Sequence, residues 1–152
     1  VSGKKGDIIK LIPGELLDRT SLVTQKGVGG PVYFTYTLKG NSIETWQPQF
    51  TYYGFRYVQV EGAVPEGKVN TSGLPVMLNL KSMYTGNAAA TVGSFKCSDK
   101  LFNDIFNLID WSIKSNMASV LTDCPHREKT GWLEVSCTIM MLMHSTKKSL
   151  LM

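Results

Sequence analysis

The sequence predicts a mixed fold, an antiparallel β-sandwich of jelly-roll style followed by a helical segment. Three observations carry this. Apolar and polar residues alternate with period two in several runs between residues 31 and 81. A stretch of small and polar residues, 85–93, interrupts them. Beyond it the apolar spacing becomes helical over about 99–116.

The elements follow in chain order. Residues 1–30 carry turn signals at Gly3, Gly6, Pro13-Gly14, Gly27 and Gly29-Gly30. Ile8, Ile9, Leu11 and Ile12 form a short apolar piece between them, and Leu16, Leu17, Leu22 and Val23 a second. Irregular structure with one or two short strands is expected there. From Pro31, Val32, Phe34, Tyr36 and Leu38 alternate with Tyr33, Thr35 and Thr37, a half-buried strand that ends at Gly40-Asn41. Residues 44–51 read as another extended piece, with Pro48 favouring an edge or bulge. In the aromatic run 52–62, Arg56, Val58 and Val60 share one face of a strand and Phe55, Tyr57, Gln59 and Glu61 the other. A central strand whose aromatics fill the gap between sheets is preferred here to a sugar-stacking face. Residues 64–73 read as a loop, and Val76, Leu78 and Leu80 as a further strand. The small stretch 85–93 is taken as the domain boundary, dividing 1–93 from 94–152.

Ser98 is the expected N-cap of the helix, with Asp99 in its first turn. Leu101, Phe102, Ile105, Phe106, Leu108, Ile109 and Ile113 make one broad apolar face, and Trp111 falls near its edge. Pro125 biases Cys124 away from helical geometry. After Gly131 a second helix is expected from the spacing of Leu133, Cys137, Met140 and Met141.

Composition excludes several classes. The chain has 152 residues, 43% hydrophobic and 18% charged, which is globular rather than disordered. The net charge of +4 is spread over scattered lysines, with no basic stripe interleaved with aromatics, so no nucleic-acid partner is expected. No apolar run is long enough to span a membrane. Three cysteines, Cys97, Cys124 and Cys137, show no CxxC spacing. Structural thiols are expected rather than a disulfide framework or a metal site built with His126 and His144. No cofactor and no metal is expected.

The chemistry is concentrated in Thr122-Asp123-Cys124-Pro125-His126-Arg127-Glu128-Lys129-Thr130-Gly131-Trp132-Leu133-Glu134. Three carboxylates, two cations, a histidine and a tryptophan share this segment with a proline and a glycine that break regular structure. Read singly, Asp123 before Cys-Pro suits a turn, Glu128 between cations suits a solvated ion pair, and Trp132 after glycine suits a core.

Together, Asp123-Cys124-Pro125-His126-Arg127-Glu128-Lys129 and Gly131-Trp132 resemble the signature of bacterial α-L-rhamnosidases, glycoside hydrolase family 78. The resemblance extends upstream. Residues 50–58 resemble the end of the sandwich that precedes the family's catalytic domain, and residues 97–111 resemble the first helix of that domain. It covers roughly residues 30–134, in the family's order. The resemblance implies β-sandwich domains joined to an (α/α)6 barrel, of which this chain would hold the first one or two helices. It implies hydrolysis of terminal α-L-rhamnose with inversion, so the partner is a rhamnose-containing oligosaccharide or glycoside. By this resemblance Glu128 matches the general acid, and Asp123, Arg127 and Trp132 match residues that line the rhamnose subsite.

Inverting hydrolysis needs a protonated carboxyl on the leaving oxygen and a carboxylate that activates water, about 6.5–9.5 Å apart. Arg127 and Lys129 favour an ionised Glu128. For the acid role their heads must point away, or burial and neighbours such as Asp123 must outweigh them. Asp123 suits accepting from sugar hydroxyls, Arg127 donating to them or holding Asp123, and Trp132 an apolar wall against the ring and the C6 methyl. The pattern departs from the family at Thr130, where members carry an apolar residue, and at Val135, where they carry an acid. An (α/α)6 barrel needs about 12 helices of about 11–12 residues each. The 152 residues are therefore expected to be an internal fragment without the general base, inactive alone. The alternatives are a non-catalytic carbohydrate-binding β-sandwich using Tyr52, Tyr53, Phe55 and Tyr57, and a glycosidase of the same scaffold acting on another sugar.

Overall fold

The computed structural model describes residues 1–26, 30–91 and 93–131. It divides into two compact units, Val1–Met83 and Tyr84–Met152.

The first unit holds β1 (Ile8–Gly14), β2 (Leu16–Leu17), β3 (Val23–Thr24), β4 (Phe34–Thr37), β5 (Tyr57–Glu61), β6 (Val64–Pro65) and β7 (Val76–Met77). β1 is the middle of a three-stranded sheet of order β4-β1-β5, antiparallel on both sides. The register opposes Ile9 to Tyr36 and Leu11 to Phe34 on one flank, and Leu11 to Val60 and Pro13 to Val58 on the other. Opposed residues share a face, so these side chains form one apolar face. Ile9 on that face is 3% exposed, while Ile8 on the other is 58% exposed. Leu38, just past β4, and Pro13 are the largest fully buried side chains. Burying such a side chain contributes about 1.5–3 kcal/mol.

β1 falls on the first apolar piece expected within residues 1–30, but it is a seven-residue middle strand rather than a short one. Pro13 sits in a middle strand, where a missing N–H normally breaks a ladder. Pairing with β4 ends at Leu11, however, so no amide is needed from Pro13 on that flank. Its carbonyl there accepts instead from Gln25 Nε2 at 2.7 Å. β2 and β3 form a small hairpin. Asp18 Oδ1 holds its turn by accepting from the amides of Thr20 and Leu22 and from the Thr20 hydroxyl.

The strand around Phe34 and Tyr36 follows the expected alternation, with Phe34 and Tyr36 half-buried and Thr35 and Thr37 exposed. β5 keeps the expected faces but is an outer strand among those described. Phe55 and Tyr57 are 41% and 38% exposed, so the aromatic run does not fill a gap between sheets. Residues 44–51 form no strand. Glu44 instead exchanges backbone hydrogen bonds with Val1, at 2.7 and 2.9 Å. Its carboxylate accepts from the Tyr36 hydroxyl at 2.7 Å and from the amides of Lys39 and Gly40 at 3.0 and 2.9 Å. Trp46 stacks on Tyr36 with ring centroids 5.1 Å apart. β7 is shorter than the strand expected at 76–80 and pairs in parallel with β6, inside the segment read as a loop.

In the second unit, residues 84–91 and 93–99 carry no strand or helix and lead to α1 (Lys100–Asn116). The N-cap is Asp99, one residue later than expected. Its carboxylate accepts from the Leu101 amide at 2.8 Å, the reach that defines a cap. Asn103 adds a second clamp: its side chain donates to the carbonyls of Cys97 and Asp99 and accepts from the Cys97 amide. Lys100–Asp104 and Asp110–Lys114 pair along the polar side. The apolar stripe has the expected spacing, yet no α1 residue is buried among the described residues, and Leu108 is 71% exposed. Tyr84 meets the edge of Trp111 and Phe95 packs against Phe106. The second helix expected after Gly131 lies outside the described residues. Among the described residues no helix is long and apolar enough to cross a membrane.

Candidate active site

The candidate site starts where α1 stops. Met117 leaves helical geometry while its amide still reaches the Ile113 carbonyl at 2.9 Å. Met117 and Leu121 form an isolated antiparallel bridge, so the chain doubles back at once. Thr122 then ties the return to the helix end: its amide and its hydroxyl both donate to the Asn116 carbonyl, at 2.9 and 3.0 Å. Leu121 and Thr122 are buried and form the floor of the loop.

Asp123 is half-buried on this floor. Its amide donates to the Thr130 carbonyl at 3.1 Å, and Thr130 returns its own amide to Asp123 Oδ1 at 3.0 Å. The same oxygen accepts from the Cys124 amide at 2.9 Å and from the Cys124 thiol at 3.6 Å. The turn-forming reading of Asp123 therefore matches its contacts. Lys129 turns the chain back with φ 55°, the left-handed region, which is uncommon for a residue with a β-carbon. Pro125 and His126 are half-buried, and Arg127 and Glu128 stand exposed at the tip.

At that tip Arg127 Nε lies 3.8 Å from Glu128 Oε1, with the two side chains 47% and 59% exposed. Arg127 thus does not point away from Glu128, which the acid role requires of it unless burial compensates. An exposed pair at this separation is screened and weak. Cys124 beside it, and then the Glu128 charge, raise the Arg127 pKa above its ordinary value. Lys129 behaves oppositely: burial lowers its pKa. Trp132, the expected apolar wall, lies outside the described residues.

The structure brings Asp123, Arg127 and Glu128 into one loop. It also assigns a part to Thr130, which the sequence marks only as a departure from an apolar position. A hydroxyl residue there carries no signal, because Thr130 works through its backbone. Cys97 and Cys124 are free thiols, and among the described residues no group of three or more His, Cys, Asp or Glu side chains is placed to hold a metal ion.

Comparison with known proteins places both units. Residues 1–78 match the family model for the bacterial α-L-rhamnosidase concanavalin-like domain. Residues 90–148 match that for the bacterial α-L-rhamnosidase 6 hairpin glycosidase domain. An α-L-rhamnosidase of Formosa agariphila is 37% identical over 139 residues, covering 88% of this chain and 14% of that protein. One from Streptomyces avermitilis is 34% identical over 134 residues, covering 87% of this chain and 12% of that protein. Among solved structures, the native α-L-rhamnosidase of Aspergillus terreus superposes with TM-score 0.68 at 31% identity, over 87% of this chain and 15% of that one. The S. avermitilis enzyme complexed with L-rhamnose gives 0.65 at 34% identity, over 87% and 12%. The chain therefore spans 12–15% of the length of these relatives. A concanavalin-like sheet domain is thus followed by a helix of the hairpin glycosidase domain, and the chain belongs to the bacterial α-L-rhamnosidase family.

Proposed function

We propose that this chain supplies the acid half of an inverting α-L-rhamnosidase site, in a parent protein that releases terminal α-L-rhamnose from glycosides or oligosaccharides. One observation carries the reading. Glu128 is presented, exposed, on a loop that follows α1, within the residues matched to the hairpin glycosidase domain. Residues 1–93 then serve as a partial sandwich domain and 94–152 as the opening of the catalytic barrel.

In this reading Glu128 gives its proton to the glycosidic oxygen as the bond to the anomeric carbon breaks. Arg127 donates to sugar hydroxyls, Asp123 accepts from them, and Trp132 walls the apolar side of the ring. A second carboxylate, about 6.5–9.5 Å from Glu128, activates the water that enters from the opposite face. Glu128 stands 59% exposed beside Arg127, and the acid role requires a bound glycoside to displace water from the loop tip.

Glu128→Gln is the test, in this chain joined to the rest of its helical domain. Loss of a general acid lowers kcat by about 10²–10⁴-fold, with rhamnose binding retained. Near-normal turnover removes Glu128 from the role. The exposed Phe55 and Tyr57 favour a second reading, sugar binding by the sheet domain without catalysis. Rhamnose titration of this chain and of its Phe55→Ala and Tyr57→Ala variants decides it, since the second reading requires those rings and not Asp123.

A further inference from the structure

The loop that carries Glu128 is closed on itself by its first and last residues. Asp123 N to Thr130 O, at 3.1 Å, and Thr130 N to Asp123 Oδ1, at 3.0 Å, form a two-bond clasp. Cys124 N adds a third bond to the same Oδ1 at 2.9 Å. Beneath the clasp, Thr122 fixes the loop to the end of α1 through the Asn116 carbonyl. The exposed Arg127 and Glu128 thus stand at the tip of a loop whose base is tied at two levels. Lys129, in the left-handed region, is what turns the Thr130 amide back towards Asp123.

We infer that Asp123 is a positioning residue: through its clasp with Thr130 it sets where the carboxyl of Glu128 and the guanidinium of Arg127 stand. The inference rests on the proposed acid role of Glu128 for its catalytic consequence, while the clasp is a property of this chain alone. The physical case is orientational. A displacement of about 1 Å at a reacting group costs on the order of 10²-fold in rate. A loop tip is held to such tolerance only if its ends are fixed. A side-chain oxygen that accepts two amides of its own loop does this without a strand or a helix.

Asn keeps an Oδ1 acceptor at the same reach and loses the charge; Ala keeps neither. The clasp therefore survives the first change and not the second.

The experiment has two arms. In this chain, amide hydrogen exchange by NMR is followed at Cys124 and Thr130 in the native sequence, Asp123→Asn and Asp123→Ala. The clasp requires protection to be kept within threefold in Asp123→Asn and to fall at least tenfold in Asp123→Ala. Unchanged exchange at Thr130 in Asp123→Ala overturns it. The amides of α1 report whether the variant is folded. If Asp123→Ala loses them, Asp123→Ser replaces it, its oxygen being too short to reach Thr130. In the second arm Thr130→Pro, which removes the donor amide of the clasp at a residue outside the sugar-binding set, and Thr130→Val, which keeps that amide, are joined to the rest of the helical domain and given an aryl α-L-rhamnoside. Positioning requires kcat to stay within threefold in Thr130→Val and to fall at least a hundredfold in Thr130→Pro, with the acid limb of the pH profile displaced and the α1 amides still protected. Native kcat in a folded Thr130→Pro, or equal loss in both variants, overturns the positioning role. Failure of the acid reading shows differently, as a Glu128→Gln protein as active as native, and leaves the exchange arm to decide the clasp.

Discussion

Glu44 receives the Tyr36 hydroxyl and the amides of Lys39 and Gly40, and these hydrogen bonds to its charged form lower its pKa from 4.5 to about 2. The sign of the pH effect follows. The unfolded chain takes up a proton near 4.5 and the folded chain only near 2, so the stabilisation is complete above 4.5 and is lost as pH falls from 4.5 through about 2. Glu44→Gln therefore lowers the urea midpoint at pH 7, and its gap from the native chain narrows as pH drops from about 5 towards 2. A gap independent of pH contradicts this account. This site leaves no trace in the residue pattern, which reads 44–51 as an extended piece with Glu44 as its first residue. The carboxylate's partners are the Tyr36 hydroxyl of β4 and two amides of the turn after it, and a turn's amides are invisible in a residue pattern. The candidate site divides in the same way. Asp123, Arg127 and Glu128 were legible as residue types in a dense motif, while the part of Thr130 was not, since it is played by a backbone amide that Lys129 turns inward.

At the scale of elements, α1 was legible almost to its ends because seven apolar residues repeat at helical spacing. Its cap was not, since Ser98 and Asp99 are both good caps and only the fold decides which oxygen reaches the Leu101 amide. Asp99→Ala is expected to cost about 1 kcal/mol, and Ser98→Ala to stay within about 0.5 kcal/mol, by thermal unfolding followed at the helical CD band. Equal effects contradict the assignment. β1 was harder to read. Its apolar run ends on Pro13-Gly14, which pattern rules send to an edge, yet its flank beside β4 ends before Pro13 needs an amide. The close packing of β1 makes a second element-scale prediction. Gly62 follows β5 with φ 78°, and a β-carbon there would collide with the Ile8 carbonyl oxygen at the start of β1. Gly62→Ala combines a left-handed backbone with a backbone clash, and is expected to destabilise by at least about 2 kcal/mol. Gly67→Ala, with a similar φ and no atom within 4 Å of the new carbon, measures the backbone part alone. The difference between the two variants isolates the clash, and no difference removes it.

For the whole molecule, the boundary between the units Val1–Met83 and Tyr84–Met152 falls, among the described residues, in a segment between the last strand and α1 without regular backbone pairing. Residues 81–91 are all exposed and none belongs to a strand or helix. β1, by contrast, is hydrogen-bonded on both flanks, and the backbone of α1 is bonded within the helix although its side chains are open. A protease needs an extended, unpaired stretch, so backbone pairing rather than side-chain exposure governs where it cuts. The loop after α1 is exposed at its tip but clasped at its base, and offers a shorter free stretch. Brief digestion with a protease of low specificity, read by mass spectrometry over residues 1–131, is therefore expected to cut first within 81–91. Earlier cutting inside β1, β5 or α1 contradicts the two-unit division. First cutting at 125–128 contradicts the clasp, and Asp123→Ala is expected to produce that pattern by freeing the loop ends while leaving the 81–91 cuts unchanged.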